Sequence, residues 1–105
     1  MQDKKEKLKE ISNEIKNIKN YSDETAKDYV KLLEETLVLI KSINIDKDNT
    51  KLSTCVSSTF KDLKIEIEDR FDNHFFTMRE QKKQNELNYS KLITRASLKS
   101  IIKCI

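Results

Sequence analysis

Apolar residues recur every three or four positions along most of the chain, which is the spacing of an α-helix. Between residues 3 and 20 they form a narrow stripe, with lysines and glutamates between its members Leu8, Ile11, Ile15 and Ile18. A stripe this narrow covers one neighbouring helix. Between residues 22 and 44 the stripe widens, so this segment can contact two neighbours. The pattern predicts helices that pack against one another.

The second half of the chain carries a longer apolar stripe. It keeps one phase from Leu52 to Ala96, with the polar residues Gln81 and Asn85 at positions of the helix–helix seam. Between the two halves, residues 44–50 are rich in Asn and Asp, whose side chains bond their own backbone and favour turns. The sequence therefore predicts the main turn at 44–50.

These stripes predict an all-α protein that forms a single helical domain over residues 1–105. The favoured arrangement is an antiparallel hairpin of two long helices, about 3–44 and 51–96, followed by a C-terminal helical extension. Ser22, followed by two acidic residues, is typical of a helix start, but the phase of the stripe continues through it. The alternative is a three- or four-helix bundle, with breaks near Ser22 and near Asp72 and Asn73.

The composition favours the same fold class. The 105 residues include no Gly and no Pro, which argues against hairpin turns, Gly-rich phosphate loops and nucleophile elbows. No apolar run is long enough for a signal peptide or a membrane-spanning helix. We therefore expect a cytoplasmic protein, with secretion without a cleaved signal peptide as the alternative. The abundance of Lys, Asn and Ile indicates a low-GC genome.

Side chains that carry catalysis or bind metals are few. Cys55 and Cys104 lack the close spacing of a metal or redox motif, so we expect free thiols, with a loop-closing disulfide as the alternative. His74 lies on the apolar stripe without further ligands at helical spacing. We expect no catalytic residues, no metal and no cofactor, and hence no enzymatic activity.

Two long helices with thin stripes bury little apolar surface, which favours association with a helical partner or with a second copy of the chain. In the hairpin, residues 97–105 have no neighbour, so they become a candidate partner-binding extension. The residues expected to contact a partner are Leu8, Ile11, Ile15, Ile18, Tyr89, Leu92, Leu98, Ile101, Ile102 and Ile105.

The net charge of +3 is concentrated in residues 79–105. This segment holds the predicted basic surface, which consists of Arg79, Lys82, Lys83, Lys91, Arg95, Lys99 and Lys103. The last four are spaced four apart and form a stripe on a helix. Such a surface suits an acidic protein partner, and the alternative is a small basic nucleic-acid-binding regulator of phage or plasmid origin. Tyr89 is the one ring available for base stacking, and membrane binding is not expected.

In length and in its pattern of two arms, the chain resembles the small helical hairpin proteins that accompany type VII secretion toxins in low-GC Gram-positive bacteria. It departs from them because the turn lacks Trp-x-Gly, and Ile93 stands where an acidic residue would follow Tyr89. The run from Tyr29 to Ile45 is also similar to co-chaperone domains that bind the Hsp70 nucleotide domain, without the basic residues of their next helix. These resemblances imply a non-enzymatic adaptor or accessory subunit.

Overall fold

Four α-helices form the computed structural model, which describes residues 2–72 and 74–105. They are α1 (Gln2–Asn17), α2 (Asp23–Lys41), α3 (Thr50–Ile65) and α4 (Glu80–Cys104). A π-helical turn, Glu66–Arg70, continues α3, and a short 3-10 helix, Phe75–Thr77, precedes α4. No strand occurs in the described residues, and the predicted all-α class is confirmed.

Each helix packs against the next one in the chain, and α4 returns to pack against α1. Neighbours run antiparallel: Lys4 near the start of α1 contacts the carbonyl of Ser42 just after α2, and Cys55 early in α3 is bonded to Cys104 at the end of α4. The bundle measures 47 × 23 × 18 Å. The arrangement is thus the four-helix alternative, because the long helices expected over 3–44 and 51–96 are each interrupted.

The first interruption is the loop at residues 18–22, where the continuous stripe favoured one helix. Ser22 caps α2: its hydroxyl accepts a hydrogen bond from the Thr25 amide at 3.0 Å, and its own amide donates to the Thr25 hydroxyl at 2.8 Å. Gln84 of α4 accepts from a loop amide at 2.6 Å and donates to a loop carbonyl at 3.1 Å. The cap and these tertiary hydrogen bonds together satisfy the backbone that the break exposes.

The second interruption spans residues 66–79. Phe71 and Phe75 are buried there, with their ring centroids 4.7 Å apart. The Asp72 carboxylate accepts a hydrogen bond from the Phe75 amide at 3.1 Å, as an N-cap residue does. This is the place of the alternative break near Asp72 and Asn73, although Asn73 itself lies outside the described residues. Burial of both rings in the core fixes the path of the chain here.

The core is built within one chain, from all four helices and from the loops that join them. Its buried apolar residues are Leu8, Ile11, Ile15, Ala26, Tyr29, Leu33, Ile40, Ile43, Leu52, Leu63, Phe71, Phe75, Leu87, Leu98 and Ile101. Because α2 and α4 both pack against α1, they cover its narrow stripe. The expectation that this narrow stripe covers one neighbouring helix is thereby corrected, since two helices pack against it.

The expected overhang at residues 97–105 is corrected as well. Helix α4 continues through it to Cys104, and the side chains of Leu98 and Ile101 are fully buried. Because the chain reverses direction once more at residues 66–79, α4 runs back beside both α3 and α1. The C-terminal residues therefore have apolar neighbours within the chain, which the predicted hairpin did not provide.

Cys55 and Cys104 form a disulfide, with their Cα atoms 6.7 Å apart. The expectation of free thiols was wrong, and the loop-closing alternative is what the structure contains. A separation of 49 residues gives no indication of pairing, since a disulfide requires two Cα atoms within about 7 Å and only the tertiary fold sets that distance. The bond ties the last turn of α4 to α3.

Tyr29 joins α2 to α4 through a buried hydrogen-bonded cluster. Its phenol oxygen lies 2.7 Å from the Ser90 hydroxyl and 2.8 Å from the Thr94 hydroxyl, and all three side chains are buried. We expect Tyr29→Phe to lower the free energy of unfolding by about 1–2 kcal/mol, because it leaves buried hydroxyls without a partner. Urea denaturation measures the change. Tyr89→Phe is the matched control, since Tyr89 is 57% exposed, and a loss of equal size in both variants would contradict the prediction.

Because of the same cluster, the free energy of unfolding is expected to depend on pH in the alkaline range. Burial raises the pKa of Tyr29 from its ordinary 10.0 to about 12. A pKa raised on folding means that the stabilising contribution is complete below pH 10 and is lost as the pH rises towards about 12. We expect the stability advantage of the native chain over Tyr29→Phe to shrink between these pH values. Paired urea titrations at both ends of the range measure it, and a constant difference would contradict it.

Candidate basic groove between the first and last helices

A groove of about 570 Å³ runs between α1 and α4. It continues past Arg95 into a second depression of about 250 Å³ along the same two helices. We call the whole feature the basic groove, and it is lined by Lys9, Ser12, Asn13, Lys16, Asn88, Lys91, Leu92, Arg95, Ala96, Lys99, Ile102 and Lys103. Among these lining residues, all within the described chain, none is acidic.

The helical repeat places the cations of the basic groove side by side. On α4, Lys91, Arg95, Lys99 and Lys103 are four residues apart and follow one face. On α1, Lys9 and Lys16 are seven residues apart, which is two turns, and they therefore point to the same side. Because the two helices run antiparallel, both sets of cations meet across one cleft.

Two cations of the basic groove, Lys91 and Arg95, are half-buried. Burial, together with the nearby charges of Arg95 and Lys19, lowers the pKa of Lys91. The Nε atom of Arg95 is buried and has no hydrogen-bond partner among the described residues. Lys9 is the better neutralised cation, with its Nζ atom 3.6 Å from the Glu6 carboxylate in an exposed ion pair. Unpaired positive charge of this kind favours an anionic ligand.

The residues predicted to bind a partner are divided by the fold. Leu8, Ile11, Ile15, Leu98 and Ile101 are buried in the core of the chain itself. Ile18, Ile102 and Ile105 are half-buried and pack against that core. Tyr89 and Leu92 are 57% and 67% exposed. Of the whole set, Leu92 and Ile102 lie in the basic groove, where they add apolar surface beside the cations.

The predicted basic residues also separate into groups. Lys91, Arg95, Lys99 and Lys103 lie in the basic groove, whereas Arg79 is exposed at the N-terminus of α4. Lys82 lines a different depression, beside carboxylates that include Glu66 and Glu86. Lys83 is buried, with its Nζ atom 3.5 Å from the Asp23 carboxylate. In the bundle, the four basic residues spaced four apart thus line the basic groove, whereas Arg79, Lys82 and Lys83 lie outside it.

Sequence reasoning missed the contribution of α1 to this surface. The signal was present, because Lys9, Ser12, Asn13 and Lys16 share one polar face of that helix. What the sequence did not reveal was the register of this face on α4. The hairpin set residues near Gln81 opposite Asn13, whereas Arg95 and Lys99 line the groove beside Asn13.

Other chemistry was sought in the described residues. No three His, Cys, Asp or Glu side chains of this part of the chain come together as a metal site would require. His74, expected to pack within the apolar stripe, is exposed instead. As for membranes, none of the helices described combines the length and the apolar composition needed to cross one.

Comparison with known proteins adds no relative from which a role could be transferred. No known protein family, no curated protein sequence and no solved structure matches the chain significantly.

Proposed function

We propose that this chain is a non-enzymatic helical interaction module that binds an acidic helix of a partner protein in the basic groove. The observation that carries the proposal is a cleft lined by cations from two helices, one of which, Arg95, has a buried Nε atom without a hydrogen-bond partner among the described residues. Such a module would serve as an adaptor or an accessory subunit. An amphipathic helix laid in a groove between two helices is a common mode of peptide recognition.

The mixture of charge and apolar surface favours a helix over a nucleic acid. Leu92, Ala96 and Ile102 line the basic groove between the cations, and they can contact the apolar residues of an amphipathic partner. Proteins that bind single strands use aromatic side chains to stack on bases, and base recognition in the major groove uses arginine above all. The lining of the basic groove includes one arginine and no aromatic ring.

Fluorescence anisotropy with a labelled synthetic peptide tests the proposal. The probe is an amphipathic helix with glutamates on one face and leucines on the other, and an unrelated single-stranded DNA of equal charge serves for comparison. We expect the peptide to bind, and Lys99→Glu to weaken binding about tenfold, because a complementary charge becomes a repulsive one. Lys51→Glu is the matched control: it makes the same charge change at an exposed site on α3 that does not line the basic groove.

Two outcomes would contradict this assignment. Equal weakening by Lys99→Glu and Lys51→Glu would mean that net charge alone, and not the basic groove, holds the peptide. Tighter binding of the DNA, with an affinity that falls steeply as salt rises, would favour the nucleic-acid alternative.

The disulfide bears on the compartment in which the module would act. Disulfides persist in oxidising surroundings and are rare in a reducing cytosol. The bond between Cys55 and Cys104 therefore favours secretion without a cleaved signal peptide over the cytoplasmic location. To test this, cells and culture medium are acidified rapidly to stop thiol exchange, and free thiols are then alkylated at neutral pH, where the reactive thiolate forms. A fully reduced pool in the producing cells with none outside would support the cytoplasm.

A further inference from the structure

A second cleft, separate from the basic groove, lies between α2 on one side and α3 with the π-helical turn that continues it on the other. It is a cleft of about 300 Å³ lined by Glu34, Leu37, Val38, Lys41, Phe60, Lys64, Ile67 and Glu68. Leu37, Phe60 and Ile67 are half-buried and form an apolar floor, whereas the Val38 side chain stands 71% exposed at the edge. We call this surface the α2 face. The exposed valine can enter an apolar cleft of another molecule, as a knob enters a hole in coiled-coil packing, and the cleft beside it can receive such a side chain.

Charges flank the apolar centre of the α2 face symmetrically. Along α2 the order is Glu34, then Leu37 and Val38, then Lys41, so that the acid and the base stand at equal distances from the midpoint of the apolar pair. On the other wall Lys64 and Glu68 are also opposite in sign and form an exposed ion pair at 4.0 Å. A surface with this pattern is complementary to itself when it is rotated by a half turn.

Within one chain, Glu34 and Lys41 do not neutralise each other. Seven residues of helix place them about 10 Å apart along the axis, whereas an ion pair requires about 4 Å. The Nζ atom of Lys41 lies 5.1 Å from the centre of the Phe60 ring, which holds it over the cleft. Both charges are exposed and available to an opposite charge from another molecule.

The geometry points to a second copy of this chain as the occupant of the α2 face. In a two-fold symmetric dimer, α2 of one copy lies antiparallel on α2 of the other, and Val38 of each enters the cleft beside Leu37 and Phe60 of its counterpart. The same symmetry sets Glu34 of each copy opposite Lys41 of the other. This interface is distinct from the basic groove, so a dimer presents two such grooves.

Sedimentation equilibrium of the oxidised native chain tests the dimer. We expect a concentration-dependent mass that approaches twice the 12.4 kDa of one chain. Val38→Glu should weaken self-association about 100-fold or more, because each dimer would then bury two unpaired carboxylates. Leu92→Glu is the matched control, since Leu92 is similarly exposed on α4 and lies outside the α2 face. Circular dichroism verifies that both variants keep their helices.

Charge exchange tests the pairing itself. Glu34→Lys and Lys41→Glu should each weaken self-association about tenfold, since each sets like charges opposite one another. An equimolar mixture of the two variants should associate as tightly as the native chain, because every lysine then faces a glutamate. The double variant Glu34→Lys with Lys41→Glu should likewise recover self-association. Contacts within one helix cannot explain recovery in the mixture, because Glu34 and Lys41 of the same chain lie seven residues apart.

Three results would overturn the inference. The first is a native chain that stays at the mass of one subunit up to its solubility limit, which would leave the α2 face to a helix of another protein. The second is a dimer that Leu92→Glu disrupts and Val38→Glu does not. The third is a charge exchange without rescue, which would exclude the two-fold pairing of Glu34 with Lys41. The first and third results leave peptide binding in the basic groove untouched, whereas the second would place self-association in that groove, because Leu92 lines it.

Discussion

Leu98→Ala is expected to lower the free energy of unfolding by about 3 kcal/mol. The Leu98 side chain is fully buried in α4, and its truncation removes apolar contacts and leaves a cavity that the surrounding helices fill only in part. A small domain has a total stability of about 5–15 kcal/mol, so this is a large share of it. Urea denaturation followed by circular dichroism measures the change.

Leu92→Ala is the matched control for this prediction. Leu92 lies on the same helix, but it is 67% exposed, so its truncation is expected to change stability by less than about 0.5 kcal/mol. Both leucines belonged to the one set predicted from the sequence to contact a partner. If Leu98→Ala left stability unchanged and reduced only the binding of the acidic peptide, Leu98 would be a docking residue and its burial in the bundle would be refuted.

Removal of the disulfide is expected to cost more, about 4 kcal/mol for the double substitution Cys55→Ser with Cys104→Ser. The bond closes a loop between residues 49 positions apart, and such a cross-link restricts the unfolded chain by about this amount. The expected result is a lower urea midpoint. The last turn of α4 should also exchange its amide hydrogens faster, because it loses its covalent tie to α3.

A reducing agent supplies the control for the disulfide. It should destabilise the native chain to about the level of the double serine variant, and it should leave the variant itself unchanged. Equal urea midpoints for the oxidised and the reduced native chain would show that the bond does not hold the bundle together. A count of reactive thiols in the unfolded, unreduced protein verifies the starting state.

Local signals in the sequence predicted the helical segments well, because each depends on residues a few positions apart. The apolar spacing of Leu8, Ile11 and Ile15 identified α1 and its buried face. The polar run at 44–50 coincides with the connection before α3, where Asn49 caps the helix through a hydrogen bond from the Leu52 amide at 3.0 Å. The Ser22 cap was recognised too, but the phase of the stripe was given more weight.

The candidate site was less predictable, because it depends on which helices become neighbours. The α4 stripe with Arg95 and Lys99 was visible from its spacing, whereas its meeting with Lys9 and Lys16 required the bundle. Lys83 was predicted from the sequence to belong to the same basic surface as Arg95 and Lys99. The fold nevertheless buried it against Asp23, a contact between residues far apart in the chain.

The sequence by itself determined the fold class, since a chain without Gly or Pro and with apolar residues at helical spacing has few alternatives to packed helices. The tertiary structure alone decided that the helices do break near Ser22 and Asp72, that Cys55 meets Cys104, and that α1 and α4 join their cations in one groove. The physical reason is the distance along the chain over which each kind of interaction acts. Helix formation follows from neighbours within one or two turns, whereas the order of helices in a bundle follows from the burial of side chains that the sequence places dozens of residues apart.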